Sequence, residues 1–224
     1  MKKTNLAVLA AAVTMFTHGL AAAETGPTMT EDGLVRVPSS AIGVVYRAPG
    51  VSFAHYRRVI LDPVGVAFKH TWKLENKHMK PEEVEALRAD AATSFHEELF
   101  DEIVKRGRFE VATAPAPDVL KIRPYIIRLD IKAPEAGTQQ RQFTYVSSSG
   151  SMILVVELHD AASGALIARI VDGEASREFS RLQRTNQVFN SAIARTGFAR
   201  GAQLTREAIT FAQTEREPPS VVLQ

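Results

Sequence analysis

The chain has 224 residues, no cysteine, and 27 Lys and Arg against 25 Asp and Glu. Without cysteine there is no disulfide framework, thiol catalysis or thiolate metal site, so stability must come from packing. The near balance of charge removes any global case for nucleic-acid binding, and the length suits one domain with a sizeable core.

The opening "MKKTNLAVLAAAVTMFTHGLAAAE" reads as a secretory signal peptide over residues 1–23. Lys2 and Lys3 form its positive end, an apolar run follows, and Ala21 to Ala23 supply small residues for cleavage between Ala23 and Glu24. Losing this leader leaves basic and acidic residues equal in number. The expected location is periplasmic or secreted. A thioether lipid anchor is excluded because no Cys follows the apolar run, and no later segment reaches the roughly 20 apolar residues of a membrane span.

Residues 24–54 are punctuated by Pro27, Gly33, Pro38, Gly43, Pro49 and Gly50. That pattern predicts an extended arm, with short strands around Val35 and Val44–Tyr46. A single domain is expected over 55–213. In "YRRVILDPVGVAF" apolar residues alternate around Asp62-Pro63, predicting a strand with a bulge or an edge position. Pro81, Glu82 and Glu83 then mark a helix start, and Val84, Leu87, Ala91, Phe95, Leu99 and Ile103 form one apolar stripe ending at Gly107. "RFEVAT" and "DVLKIRPYIIRLDIKA" read as strands, with Pro124 hinting at an edge or bulge. Residues 133–142 read as a polar loop. "FTYVSSSGSMILVVELHD" and "LIARIVDGEAS" form the next strand pair, and a helix is expected over Phe198 to Phe211. Its inward face is Phe198, Ala202, Thr205, Ile209 and Ala212, and residues 214–224 are expected to be a disordered tail. The fold class is α+β. We expect a mostly antiparallel sheet of about five strands with two helices on one face, preceded by the arm.

"EDGLVRV", "VVYRAPGVSFAHYRRVILDPVGVAF" with Trp72 beyond it, and "ELHDAASGALIAR" together resemble the bacterial domain-of-unknown-function family 3313. The likeness spans roughly Asp32 to Phe211. It implies an exported envelope protein with an α+β domain, and it supplies no site to carry over. Many members are lipoproteins; the lack of cysteine sets this chain apart from them.

Candidate chemistry is sparse. His159, Asp160 and Ser163 lie within five positions in "VVELHDAASGALIARIVDG". Neighbours on a strand point to opposite faces, so the stretch reads as a hairpin turn rather than a triad. "HEELF" lacks the second histidine of a zinc-protease helix, leaving His96 and Glu97 on the solvated side. His55, His70 and His78 are isolated. "SSSGS", Ser147 to Ser151, lacks the glycines of a nucleophile elbow. Asp62, Asp130 and Asp160 could pair for glycan hydrolysis only if the fold gathered them. Gly197 and Gly201 suggest close helix–sheet packing. Arg177, Arg181, Arg184, Arg195, Arg200 and Arg206 face one acid, Glu178, in their stretch of chain. The first five are the candidate binding residues for an anionic envelope component or envelope protein, against the plainer reading of a solvated helix face.

No catalytic residue, metal ligand or cofactor is expected. The favoured function is a non-enzymatic exported binding or assembly accessory. The alternative is a cell-wall or lipid hydrolase built from dispersed Asp, His and Ser residues.

Overall fold

The structure, a computed structural model, describes residues 28–37, 43–130, 151–172 and 190–214. The expected leader with Ala23 and Glu24, the loop at 133–142, Ser147 to Gly150, Arg177, Arg181, Arg184 and the tail from residue 215 lie outside the described residues.

Two short strands, β1 (Val35–Val37) and β2 (Val44–Arg47), form within the stretch expected to be extended. β3 (Arg58–Leu61) and β4 (Gly65–Phe68) flank the Asp62-Pro63 break. A one-turn helix α1 (Trp72–Glu75) precedes α2 (Pro81–Phe100), which widens into a π-helical segment over Asp101–Arg106. β5 (Glu110–Val111), β6 (Val119–Asp130), β7 (Ser151–Asp160), β8 (Leu166–Asp172) and α3 (Asn190–Thr214) complete the described order.

These strands make one eight-stranded sheet in the order β1, β2, β8, β7, β6, β3, β5, with β4 also on β6. The sheet is mixed, which corrects the expectation of a mostly antiparallel sheet of about five strands. β1 through β6 are joined antiparallel by way of β2, β8 and β7, whereas β3 and β4 run parallel to β6, and β5 runs parallel to β3. The reason is α2. A helical crossover between β4 and β6 carries the chain back along the sheet, so the next long strand runs the same way as those before it.

Pro124 sits inside a central strand, not at an edge. Leu61 of β3 is in register with Ile122, and Gly65 of β4 with Tyr125. Pro124 therefore falls opposite the break between β3 and β4, where no ladder partner is in register on that side. Further along, Arg128 has φ of 54° at a shift in register on both flanks of β6. One extra residue there lets Ile126 and Leu129 both turn inward, the work of a β-bulge.

α2 starts as expected at Pro81, and the Glu83 carboxylate accepts the Lys80 backbone N–H at 2.8 Å. Leu87, Ala91, Phe95 and Leu99 are buried along its stripe, and Ile103 continues that stripe in the π segment. α3 begins earlier than expected, yet its buried residues include all five of the expected face. Phe95 stacks on Phe198 at 5.5 Å between ring centroids, tying α2 to α3. Beneath them lie Ile122 and Ile126 of β6 with Leu154, Val156 and Leu158 of β7. Gly201 makes the close helix–sheet approach, since a Cβ there would stand 2.4 Å from Leu154 Cδ1.

Gly201→Val is expected to destabilise the fold by about 1–3 kcal/mol through overpacking. Combined with Leu154→Ala, itself destabilising, the total cost in urea denaturation should be smaller than the sum of the two single costs. Simple additivity of the two changes would contradict this contact.

Candidate functional site

The π segment closes with the Gly107 N–H donating to the Glu102 carbonyl at 2.8 Å, five residues back. Such widened turns recur at functional sites. Here the segment holds Glu102, only 4% exposed, against α3. Arg206 Nε donates to Glu102 Oε2 at 2.8 Å, and Arg106 Nη1 donates to Glu102 Oε1. A buried carboxylate is tolerable only when paired in this way. The two cations differ in surroundings: the Arg106 side chain is 71% exposed and that of Arg206 27%.

Arg206 also lines a cavity of about 410 Å³ between α3 and the β2–β8 side of the sheet. Val45 pairs with Ile170 and Arg47 with Ala168, so all four side chains share one face of the sheet. With Phe53 and Leu158 they form one wall; Leu204, Ala208, Phe211 and Ala212 of α3 form the other. Alanines at 168, 208 and 212 leave the gap unfilled where larger side chains would close it. Phe211 is 52% exposed, and Arg206, Glu207 and Thr210 supply polar atoms beside it. The arrangement suits an apolar group held with a few directed polar contacts.

The hairpin that looked most like chemistry is a turn. Asp160 Oδ1 accepts the Ser163 backbone N–H at 2.7 Å and its hydroxyl at 2.6 Å, while Oδ2 accepts the Tyr56 hydroxyl at 2.9 Å. Gly164, with φ of 76°, reverses the chain. His159 Nδ1 faces the Gly164 carbonyl at 3.1 Å and Nε2 faces Glu157 at 3.3 Å, so the imidazole is not directed at Ser163. The Ser163 hydroxyl, then its N–H and the Tyr56 hydroxyl, holds the Asp160 carboxyl below its ordinary value against the opposing effect of burial. Burial, reinforced by Asp160, pushes the Tyr56 hydroxyl up.

The other residues singled out from sequence are dispersed. Asp62 bonds Arg123 at 3.0 Å and lies 3.4 Å from Lys121, on the face opposite the helices. Asp130 bonds Lys69 at 3.0 Å, towards the far end of β6. Asp160 is in register with buried Leu120. The three carboxylates thus belong to three separate sets of partners. His96 is half-buried and Glu97 exposed on α2. Arg195 is exposed and Arg200 half-buried on α3. Five residues apart on a helix, these two point about 140° from one another, so α3 alone does not put them on one stripe. Glu102 and the cavity were missed. The signal for Glu102 was an acid beside the inward position Ile103; the cavity had none, because it joins residues from distant segments.

Arg206→Met should cost about 1–3 kcal/mol in urea unfolding, since it takes a charged hydrogen bond from a buried carboxylate. Arg106→Met, at an exposed position, should cost less than about 1 kcal/mol. The reverse order would refute this assignment of Glu102's principal partner. Asp160→Ala should cost about 1–2 kcal/mol at neutral pH, because it strips the turn and the Tyr56 hydroxyl of their acceptor. A carboxyl depressed in the folded state stabilises above its ordinary value, 3.8, and loses that contribution as pH falls below it. The gap in urea midpoint between native chain and variant should therefore hold from neutral pH to about that value and narrow below it.

Among the described residues no helix is long and apolar enough to cross a membrane, and no three His, Asp or Glu side chains gather as a metal site. No curated protein matches the chain. It is similar to a PelC dodecamer from Paraburkholderia phytofirmans, 15% identical over 73% of this chain and 97% of that chain, with a TM-score of 0.38. It is also similar to a neuraminyllactose-binding hemagglutinin homolog from Helicobacter pylori, 12% identical over 74% and 86% of the two chains, with a TM-score of 0.32. Scores this low bear on no ligand. The model for "Protein of unknown function (DUF3313)" matches residues 28–204, from before β1 well into α3, and the chain belongs to that family.

Proposed function

We propose that the protein is an exported, non-enzymatic binding or accessory protein of the bacterial envelope. One contrast carries this reading. Asp160, His159, Asp62, Asp130 and Glu102, the polar groups nearest to chemistry, are each engaged in joining one part of the backbone or sheet to another. The cavity that Arg206 borders is lined mainly by apolar side chains and by none of these five groups. Groups so engaged are poor proton movers, whereas an apolar hollow with few polar contacts is the usual form of a binding site.

Export is supported by the charged, apolar and small-residue order of residues 1–23. Arg177, Arg181, Arg184, Arg195 and Arg200 are proposed to meet an anionic envelope component or the acidic face of an envelope protein. No cofactor enters this reading.

A photoreactive amino acid placed at the exposed Arg195 position, in cells expressing the full chain, should yield a discrete adduct in the envelope fraction. Placement at exposed Leu74 should not give the same adduct. Only diffuse background at both positions, or the protein remaining outside the envelope fraction, would overturn the reading.

A further inference from the structure

We propose that the segment from Lys69 to Lys80, together with Arg128, is a surface by which the protein rests on an anionic membrane. It uses none of the arginines assigned above and so goes beyond that reading.

The fold fixes this segment in place. The Lys69 N–H donates to the Leu129 carbonyl at 3.0 Å, and the Trp72 N–H to the Lys69 carbonyl at 2.9 Å. Fully buried Trp72 stacks on Phe68 at 4.2 Å between ring centroids, and the Arg88 guanidinium lies over the Phe68 ring at 5.6 Å. Leu74 follows Trp72 by two residues, about 200° around the turn of α1, so burying the indole aims the leucine outward. Leu74 is 62% exposed, more than any other large apolar residue among the described ones. Because the segment is already held, presenting that side chain to a partner costs little further ordering.

A lone exposed leucine needs no explanation, but its neighbours supply one. Lys73 and Lys77 are exposed on either side of it in the chain, and the bulge in β6 presents exposed Arg128 beside Leu129 at the same end of the sheet. The hydrogen bond from Asp130 chiefly holds the Lys69 proton, while the Arg128 charge acts against it. Among the described residues Lys73, Lys77 and Arg128 make no ion pair, whereas Arg58, Lys69, Arg88 and Lys105 each do. The acids nearby have other partners: Glu75 lies 3.8 Å from Lys69, Glu83 accepts the Lys80 N–H, and Glu85 lies 3.3 Å from Arg88. Only Glu82 remains, and Lys80 offsets it.

An outward leucine among unpaired cations is the pattern of an interfacial contact, the apolar group entering the headgroup layer and the cations meeting phosphates. Lysines are flexible point charges, which suit a fluid, evenly charged surface better than one shaped acidic site. The contact is peripheral, since no described helix is long and apolar enough to cross a membrane.

The test is cosedimentation of the chain, purified after export, with vesicles of phosphatidylcholine alone or of phosphatidylcholine mixed with phosphatidylglycerol. It should bind the anionic vesicles at low salt, bind the neutral ones far less, and be released by high salt. Lys73→Gln with Lys77→Gln should weaken binding about 25-fold, at about fivefold per cation. Leu74→Asp should weaken it at least about tenfold, while Leu74→Phe should retain it. Lys105→Gln, an exposed cation on a different element, should change nothing. All these positions are exposed, so an unchanged urea midpoint should confirm that each variant folds. Equal binding to both kinds of vesicle, binding to neither, or undiminished binding in the folded Leu74→Asp and double lysine variants would overturn the proposal. So would affinity for polyglutamate matching that for the vesicles and indifferent to Leu74→Asp, the mark of a site for an acidic protein. A discrete adduct at the Arg195 position with no vesicle binding would sink this inference while leaving the broader binding reading intact.

Discussion

The structure depends on hiding one face of β6 and β7. Leu120, Ile122 and Ile126 alternate along β6, and Leu154, Val156 and Leu158 along β7, all almost fully buried. Each contributes about 1.5–3 kcal/mol when taken out of water. That gain far exceeds the roughly 1 kcal/mol by which each glycine weakens a helix interior. It therefore explains how α3 tolerates Gly197 and Gly201 within its length. Gly201 lets the helix axis settle directly onto Leu154.

The same docking leaves the cavity. Near Gly201 the helix and sheet touch; further along, Ala208 and Ala212 face Ala168 with too little volume to meet. Arg206 stands between the two regions, and the Glu102 carboxylate fixes it from the far side of α3. The widened turn after Phe100 thus bears on a residue lining the hollow, although α2 itself contributes none of that lining.

The opposite face of the sheet follows a different rule. Arg123 is in register with Glu157, Glu157 with Arg169, and Arg169 also bonds Asp32 at 2.7 Å. Alternating charges across neighbouring strands favour this register over a slip of one residue, which would bury them. The contact with Asp32 ties the segment before β1 to β8, and β1 and β2 extend the sheet in the same place. The N-terminal segment is therefore bound by a ladder and an ion pair as well as by packing.

Local patterns carried much of this. The stripe from Leu87 to Ile103, the Asp160–Gly164 turn and the close packing at Gly201 were legible because each depends on neighbouring residues whose spacing follows the helix or strand period. The parallel pairing of β3 and β4 with β6 was legible in principle, since α2 is a crossover of the right length, but short-loop reasoning obscured it. The π-helical widening of α2 has no comparable mark in the chain. What the amino-acid order determined by itself was which residues face inward and where the backbone turns, because both are set within a few bonds of the residue concerned. Tertiary structure alone decided that Arg206 reaches Glu102, that Pro124 falls opposite a gap, and that three distant alanines enclose a hollow. Those outcomes depend on how whole elements dock against one another, and no short stretch of sequence contains that geometry.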